Sequence, residues 1–334
     1  MRIERFDPVA EPDKVRACYK MYVAGLPVDN PEGPPFPEHH AAAWFELGFG
    51  GEPREVALAM DSAGAPAGWY LLELPQRSNT HLGFLELVVS PDQRRHGYGT
   101  ALLRHAASRA AAHGRTLLSA ETRRDSPGSG FAAAMGARAG VVAIRRVLEL
   151  DSIPAGKLAG LRARAEAAAQ GYSLLRWAGP TPEEDLLGVA TVQAAMADAP
   201  HNPGEKPRGV DPERLRHNER RSIEVGMRRY SVAARCDRTG ELAGLTQIAA
   251  DPLELPWARQ FITAVTKEHR GHRLGLLVKV DMLDMLATAE PEVRRILTDN
   301  ADANQHMIAI NAELGYRILD EQQSWELDVA SIVD

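Results

Sequence analysis

The chain has 334 residues, 44% hydrophobic and 25% charged, with a formal net charge of −6; this is a globular composition, long enough for two domains. The acidic balance argues against a nucleic-acid binder and is compatible with a cationic substrate. No apolar run approaches the ~20 residues of a membrane span, residues 1–6 lack a signal peptide's apolar core, and Cys18 and Cys236 have no metal-site spacing, so the expectation is a cytoplasmic protein with no membrane partner and no metal.

Residues 1–6 alternate apolar and polar like an edge strand. Residues 11–24 carry Val15, Cys18, Tyr19 and Tyr22 on one helical face. The stretch Asn30-Pro31-Glu32-Gly33-Pro34-Pro35-Phe36-Pro37 can be neither helix nor central strand, and is expected as a loop of the kind that lines a site. A short helix is expected over 39–47, and strands over 56–60 and 67–74 around Ser62-Ala63-Gly64. Phe84 to Val89 is short and apolar, with β-branched residues at its end, as a buried strand should be. Ser90-Pro91-Asp92 stops it, and Leu103, Ala106, Ala107 and Ala110 then recur at helical spacing. A strand at 116–120, a helix at 129–135 closed by Gly136, and a last strand at 141–150 give the order β-α-α-β-β-β-α-β-α-β.

Between the buried strand and its helix lies Arg94-Arg95-His96-Gly97-Tyr98-Gly99-Thr100. Two spaced glycines let the backbone curl so that successive N–H groups point into one small space. The helix start adds unpaired N–H groups and a partial positive charge. Such a nest binds phosphate or pyrophosphate. There is no GxxxxGK[ST], and a dinucleotide fingerprint would need a third glycine where Leu102 stands.

Residues 151–170, rich in Ala and Arg, are expected as a helical connector. The pattern then repeats: strand 173–177, helices 182–196 and 212–225, strands 230–235 and 242–250, strand 260–265, a second loop from Arg270 to Gly275, its helix, strand 293–298, helix 302–314 and strand 317–327. Gly275 lies 176 residues after Gly99, Gly315 179 after Gly136, and Leu174 171 after Ile3. A near-constant shift indicates duplication. The expected domains are 1–150 and 171–334, joined by 151–170. Each is of the α/β class, a mixed, mostly antiparallel sheet flanked by helices.

The first loop with its strand and helix closely resembles motif A of the GNAT acyltransferase superfamily, [QR]-x-x-G-x-[GA], carried here by Arg94, Gly97 and Gly99. With the repeat, the resemblance covers almost the whole chain. It is to the tandem GNAT N-acetyltransferases, an architecture shared with the mycothiol synthases, although no motif here establishes that substrate. The resemblance implies acetyl-CoA as cofactor, its pyrophosphate on the loop and its pantetheine arm along the preceding strand. The implied cofactor contacts are Leu87, Val88, Val89, Arg94, Arg95, His96, Gly97, Tyr98, Gly99 and Thr100 in the first half. In the second they are Val265, Arg270, Gly271, His272, Arg273, Leu274 and Gly275. Arg273 replaces the first motif glycine; the loop can form if Arg273 takes an ordinary helical-entry conformation, and its guanidinium can add a phosphate contact. Residues 298–304 and 311–316 match the N-x-x-x-[FYN]-x-x-x-G-[FY] ending seen in the family. There Asn304 could hold cofactor or water, or simply cap the following helix.

Acylation of an amine by a thioester needs a deprotonated amine, a stabilised carbonyl oxygen and a proton for the thiolate. Backbone N–H groups near Val88 and Ala264 can serve the oxygen. Coenzyme A thiol should titrate near ~8.5, so its departure is only modestly uphill. Glu86 shares a strand face with Phe84 and Val88. The resemblance makes it the candidate to receive the amine proton, directly or through water; otherwise it is a carboxylate paired with a neighbouring Arg or facing solvent at the sheet edge, and Glu121 is the substitute. In the second half the matching position is Ile262. The Tyr that the family frequently uses as acid is replaced by Ala132 in the first half and Asn311 in the second. The expected function is acetyl-CoA-dependent N-acylation of a small-molecule or peptide amine, by a monomer or homodimer. The alternative is an acyl-CoA-binding sensor or scaffold with one or both halves inactive.

Overall fold

A computed structural model describes residues 1–34, 36–47, 51–198, 202–206 and 211–333; Pro35 of the expected site loop lies outside these residues. In chain order the elements are β1 (Arg2–Phe6), α1 (Pro12–Asp29), α2 (Glu38–Leu47), β2 (Arg54–Met60), β3 (Pro66–Glu73), β4 (Leu82–Val89), α3 (Tyr98–Ala112), β5 (Leu117–Arg123), α4 (Pro127–Ala134) and β6 (Arg138–Glu149). They continue with α5 (Lys157–Ala168), β7 (Tyr172–Ala178), α6 (Leu186–Ala194), α7 (Pro212–Glu224), β8 (Arg228–Cys236), β9 (Leu242–Ala250), β10 (Trp257–Val265), α8 (Leu274–Ala289), β11 (Arg295–Ala301), α9 (Gln305–Leu314), β12 (Arg317–Asp328) and α10 (Ala330–Val333). Among the described residues, no helix is long and apolar enough to cross a membrane.

The chain forms two compact units. One comprises residues 1–143, 201–206 and 320–334, the other residues 144–200 and 207–319. In the first, the strands run β1-β2-β3-β4-β5-β12. On one face of this sheet, Leu102, Leu103, Ala106, Ala107 and Ala110 of α3 recur at helical spacing and bury against Tyr70, Leu72 and Leu118. Burial of each leucine is worth ~1.5–3 kcal/mol. On the other face, α1 and α2 cover Val56, Leu58, Trp69 and Leu71 with Val15, Cys18, Met21 and Phe45.

In the second unit the order is β6-β11-β10-β9-β8-β7. Here α8 is buried from Leu274 to Leu283. The segment expected as a connector is part of this core: Leu161 and Ala165 of α5 are buried in it, and Arg162 donates to Asp281 (2.9 Å) and Asp284 (2.6 Å) of α8.

The two halves do not separate at residue 150. Each unit is completed by the last strand of the other repeat. Gln322 to Asp328 of β12 pair antiparallel with Arg123 to Leu117 of β5, where Leu327 enters the first core and the Trp325 indole donates to Thr122 Oγ1 (2.8 Å). The end of β6 lies beside β11 in the second unit, with Leu148 in its core. Neither final strand alternates strictly in burial, and the pattern along a strand does not say which sheet receives it.

Candidate active site

In the first unit, β4 pairs along its length with β3, but with β5 only at Leu82–Leu117, Gly83–Leu118 and Phe84–Ser119. Beyond Phe84 the two parallel strands part. The edge of β4 from Leu85 to Val89 then faces an opening instead of a ladder partner. Leu87 and Val89 turn their side chains toward the α3 core and Val88 toward the α1–α2 core. The Ser90 N–H bonds the Ala67 carbonyl of β3, so by alternation Val88 also directs its backbone to β3, and Leu87 and Val89 offer theirs to the opening.

The turn after β4 uses residues 91–93 as a single 3₁₀ turn, then Arg95 (φ 65°) and Gly97 (φ 85°) in the left-handed region, before α3 starts at Tyr98. No side chain caps α3, whereas Ser126 caps α4 by accepting from the Ser129 N–H (3.2 Å). The first N–H groups of α3 are thus left for an anion. Gly99 serves packing as well: a Cβ there would stand 3.3 Å from the Phe131 ring of α4. Arg95 and His96 are exposed on the turn, while Tyr98 packs partly on the α3 core and Thr100 Oγ1 lies 3.9 Å from Met135 Sδ. The Arg94 guanidinium is committed elsewhere. It donates to both oxygens of Asp29 (3.2 and 2.5 Å) and to the Val89 carbonyl (3.3 Å), tying the end of α1 to the turn.

Glu86 and Glu121 each lie two residues beyond the last matched pair, Phe84–Ser119, and therefore on one face at either side of the opening. Glu121 is exposed. Glu86 is half-buried, and surrounding protein that displaces water pushes its carboxyl up to about 8, against the pull of the Arg54 charge. Arg54 itself bonds Glu73 (2.5 Å) and the Trp44 carbonyl. Over this face sit partly buried aromatic rings from α1, α2 and the loop between them. Tyr22 and Trp44 lie 5.6 and 5.0 Å from Phe36, centroid to centroid, and Trp44 5.7 Å from the buried Trp69. Tyr19 donates to the Phe36 carbonyl (3.0 Å), fixing the loop.

The second unit repeats the construction. β10 pairs with β11 only from Trp257–Arg295 to Arg259–Leu297, and a bulge lies between Gln260 and Ile262. The turn places Gly271 (φ 90°) and Arg273 (φ 52°) in the left-handed region, and no side chain caps α8. Arg273 therefore does not take the ordinary helical-entry conformation expected of it. The turn demands left-handed backbone at the same two places in both units, and glycine fills the second in one and the first in the other. Each loop thus holds one strained arginine, at roughly 1–2 kcal/mol. Arg270 Nε donates to the Val265 carbonyl (3.5 Å), the contact Arg94 makes with Val89. His272 is exposed beside the Tyr172 ring, Leu274 is buried, and a Cβ on Gly275 would stand 3.1 Å from Ile310. Asn304 caps α9, accepting from the Met307 N–H (3.3 Å). Asn311 is fully buried and bonds Lys279 Nζ (2.8 Å) and Asn300 Oδ1 (2.6 Å). Ile262 joins the apolar cluster of Leu186, Val189 and Leu245.

Sequence reasoning missed Lys279, although a lone charge inside Leu276-Leu277-Val278-Lys279-Val280 is a readable signal. It also missed Arg54, whose partners are non-local.

The acetyltransferase (GNAT) family matches residues 17–136. No curated protein matches the chain. Among solved structures, a tandem GNAT protein from the clavulanic acid biosynthesis pathway is 27% identical over 98% of each chain, with a TM-score of 0.81. A GCN5-related N-acetyltransferase from Sphaerobacter thermophilus is 16% identical, covering 98% of this chain and 95% of that one at a TM-score of 0.65. The latter likeness is one of fold alone.

Proposed function

We propose, for a chain that carries a GNAT-family acetyltransferase domain at residues 17–136 and has the tandem GNAT fold, that its acyl-CoA-dependent acetyltransfer is N-acetylation of a small-molecule or peptide amine at the first unit. One observation carries this reading: the uncapped start of α3, the free edge of β4 and Glu86 meet at one opening. Acetyl-CoA is the donor. The exposed turn from Arg95 to Thr100 holds its pyrophosphate through backbone N–H groups, and β4 receives its arm. Arg94 acts by holding the turn to Asp29 rather than by touching phosphate.

The amine enters on the face carrying Glu86, under the aromatic rings of Tyr22, Phe36 and Trp44. Glu86, when ionised, accepts the proton the amine loses as its nitrogen bonds the carbonyl carbon. Backbone N–H groups of β4 near Val88 face the developing oxyanion. Glu121, across the opening, can take the proton through water.

Acetyl-CoA turnover against a panel of amines tests the reading by thiol release. Release above background that disappears in Glu86→Gln supports it. Tight acetyl-CoA binding without turnover of any amine would favour the sensor alternative.

A further inference from the structure

Lys279 stands in the buried middle of α8 and is 3% exposed. Its Nζ donates to Gln260 Oε1 on β10 (2.6 Å) and Asn311 Oδ1 on α9 (2.8 Å), and lies 4.9 Å from the centre of the Tyr316 ring. Asn311 donates onward to Asn300 on β11 (2.6 Å), and Gln260 to Thr246 (2.5 Å) and Thr263 (3.1 Å). The amine thus joins both strands just past Arg259–Leu297, where they part. Its partners are amides and a ring; among the described residues no carboxylate pairs with it. A buried ammonium without a counter-charge is costly, and burial lowers this group to about 7. The corresponding place in the first unit, by the 176-residue shift, is the apolar Leu103, buried in the α3 core.

The missing partner is an anion, and the opening between β10 and β11 limits which anion reaches it. From Val265 beside the loop to Gln260 at the apex, β10 extends ~16 Å at ~3.3 Å per residue. An arm held by its pyrophosphate on the loop and laid along this edge would run its sulfur end toward Gln260, which Lys279 Nζ bonds (2.6 Å). A thioester there is neutral, whereas a free thiol can ionise.

We propose that Lys279 is the counter-ion of the coenzyme A thiolate in the second unit, so that this cleft retains free coenzyme A in preference to acetyl-CoA. The step is one proton transfer: the S–H bond breaks, an N–H bond forms on Nζ, and a thiolate–ammonium pair remains. It rests on reading the second loop as a cofactor site.

The test is calorimetric titration of the Gly97→Asp protein, in which the first loop is expected to be at least tenfold weaker, with coenzyme A, desulfo-coenzyme A and acetyl-CoA. Thiolate absorbance is followed in the ultraviolet against the desulfo compound. Coenzyme A should bind at least tenfold more tightly than the other two, with thiolate absorbance appearing on binding. Lys279→Met should abolish both the preference and the absorbance while leaving acetyl-CoA affinity unchanged. Lys279→Arg keeps a cation but cannot take the thiol proton, which then passes to the buffer, and it should retain the preference even if the methionine variant folds poorly. Equal affinities without thiolate absorbance, or an undiminished preference in a folded Lys279→Met protein, would overturn the counter-ion role while leaving the cofactor site standing. Failure of all three compounds to bind would overturn the role and the second-loop reading together.

Discussion

Replacing Glu86 by Gln tests the proposed chemistry through its pH dependence. Burial raises the Glu86 carboxyl to about 8, so at pH 7 roughly one molecule in ten carries the ionised base, each pH unit being tenfold. With an acceptor that is already neutral at pH 6, kcat/KM should climb about tenfold per unit and flatten above pH ~8. The acceptor must be chosen this way, or its own titration would mimic that of the enzyme. Glu86→Gln keeps the shape of the side chain and lies away from the phosphate turn. It should remove the climb and lower the plateau by ~10²–10⁴, with acetyl-CoA affinity unchanged. Free-thiol release at saturating acetyl-CoA reads the rate, and calorimetry reads the affinity. A wild-type profile that stays flat from about pH 6 to 9, or a variant that keeps both rate and slope, refutes Glu86 as the base.

The same carboxyl predicts a stability effect. Between its ordinary value and about 8 the folded protein binds more protons than the unfolded one, so the Glu86 contribution is full below ~4.5 and is lost as pH rises through about 8. Melting curves should show Glu86→Gln gaining on wild type across that window, and parallel curves would contradict this. Gly97→Asp puts a charged Cβ branch on a left-handed residue at the anion nest, and calorimetry should record at least a tenfold loss of acetyl-CoA affinity, about 1.4 kcal/mol. Arg273→Gly should relieve left-handed strain and raise stability by ~1 kcal/mol in urea titrations; a destabilised variant would mean that the guanidinium, 3.7 Å from Glu313, contributes more than the backbone costs. Residues 1–150 produced alone should fail to give a cooperative melt, because β5 lacks β12, and a peptide covering 317–334 should restore one.

Local patterns were legible wherever one element's own residues decide its form. The periodicity of Leu103, Ala106, Ala107 and Ala110 marks α3, and the shared offset marks the duplication. Ser90-Pro91-Asp92 and the glycines locate the turn, but residue type did not reveal its geometry. Arg95 and Arg273 are left-handed because the fold over-determines the turn, not because arginine favours that region. Ion pairs such as Arg94–Asp29, 65 residues apart, and networks such as Lys279–Gln260–Asn311 exist only after the elements have packed. The destination of β6 and β12 was hidden for the same reason.

That exchange of strands also imposes an order on synthesis. When β5 leaves the ribosome, about 200 residues remain before β12 emerges to cover it. At ~5–20 residues per second this is ~10–40 s, during which the outer edge of β5 has no β12 to pair with. An uncovered strand edge invites pairing with other chains. The nascent protein therefore needs either a chaperone or a provisional cover for Leu117 to Arg123, and a translational pause inside the second repeat should lower the yield of folded protein more than one placed after β12.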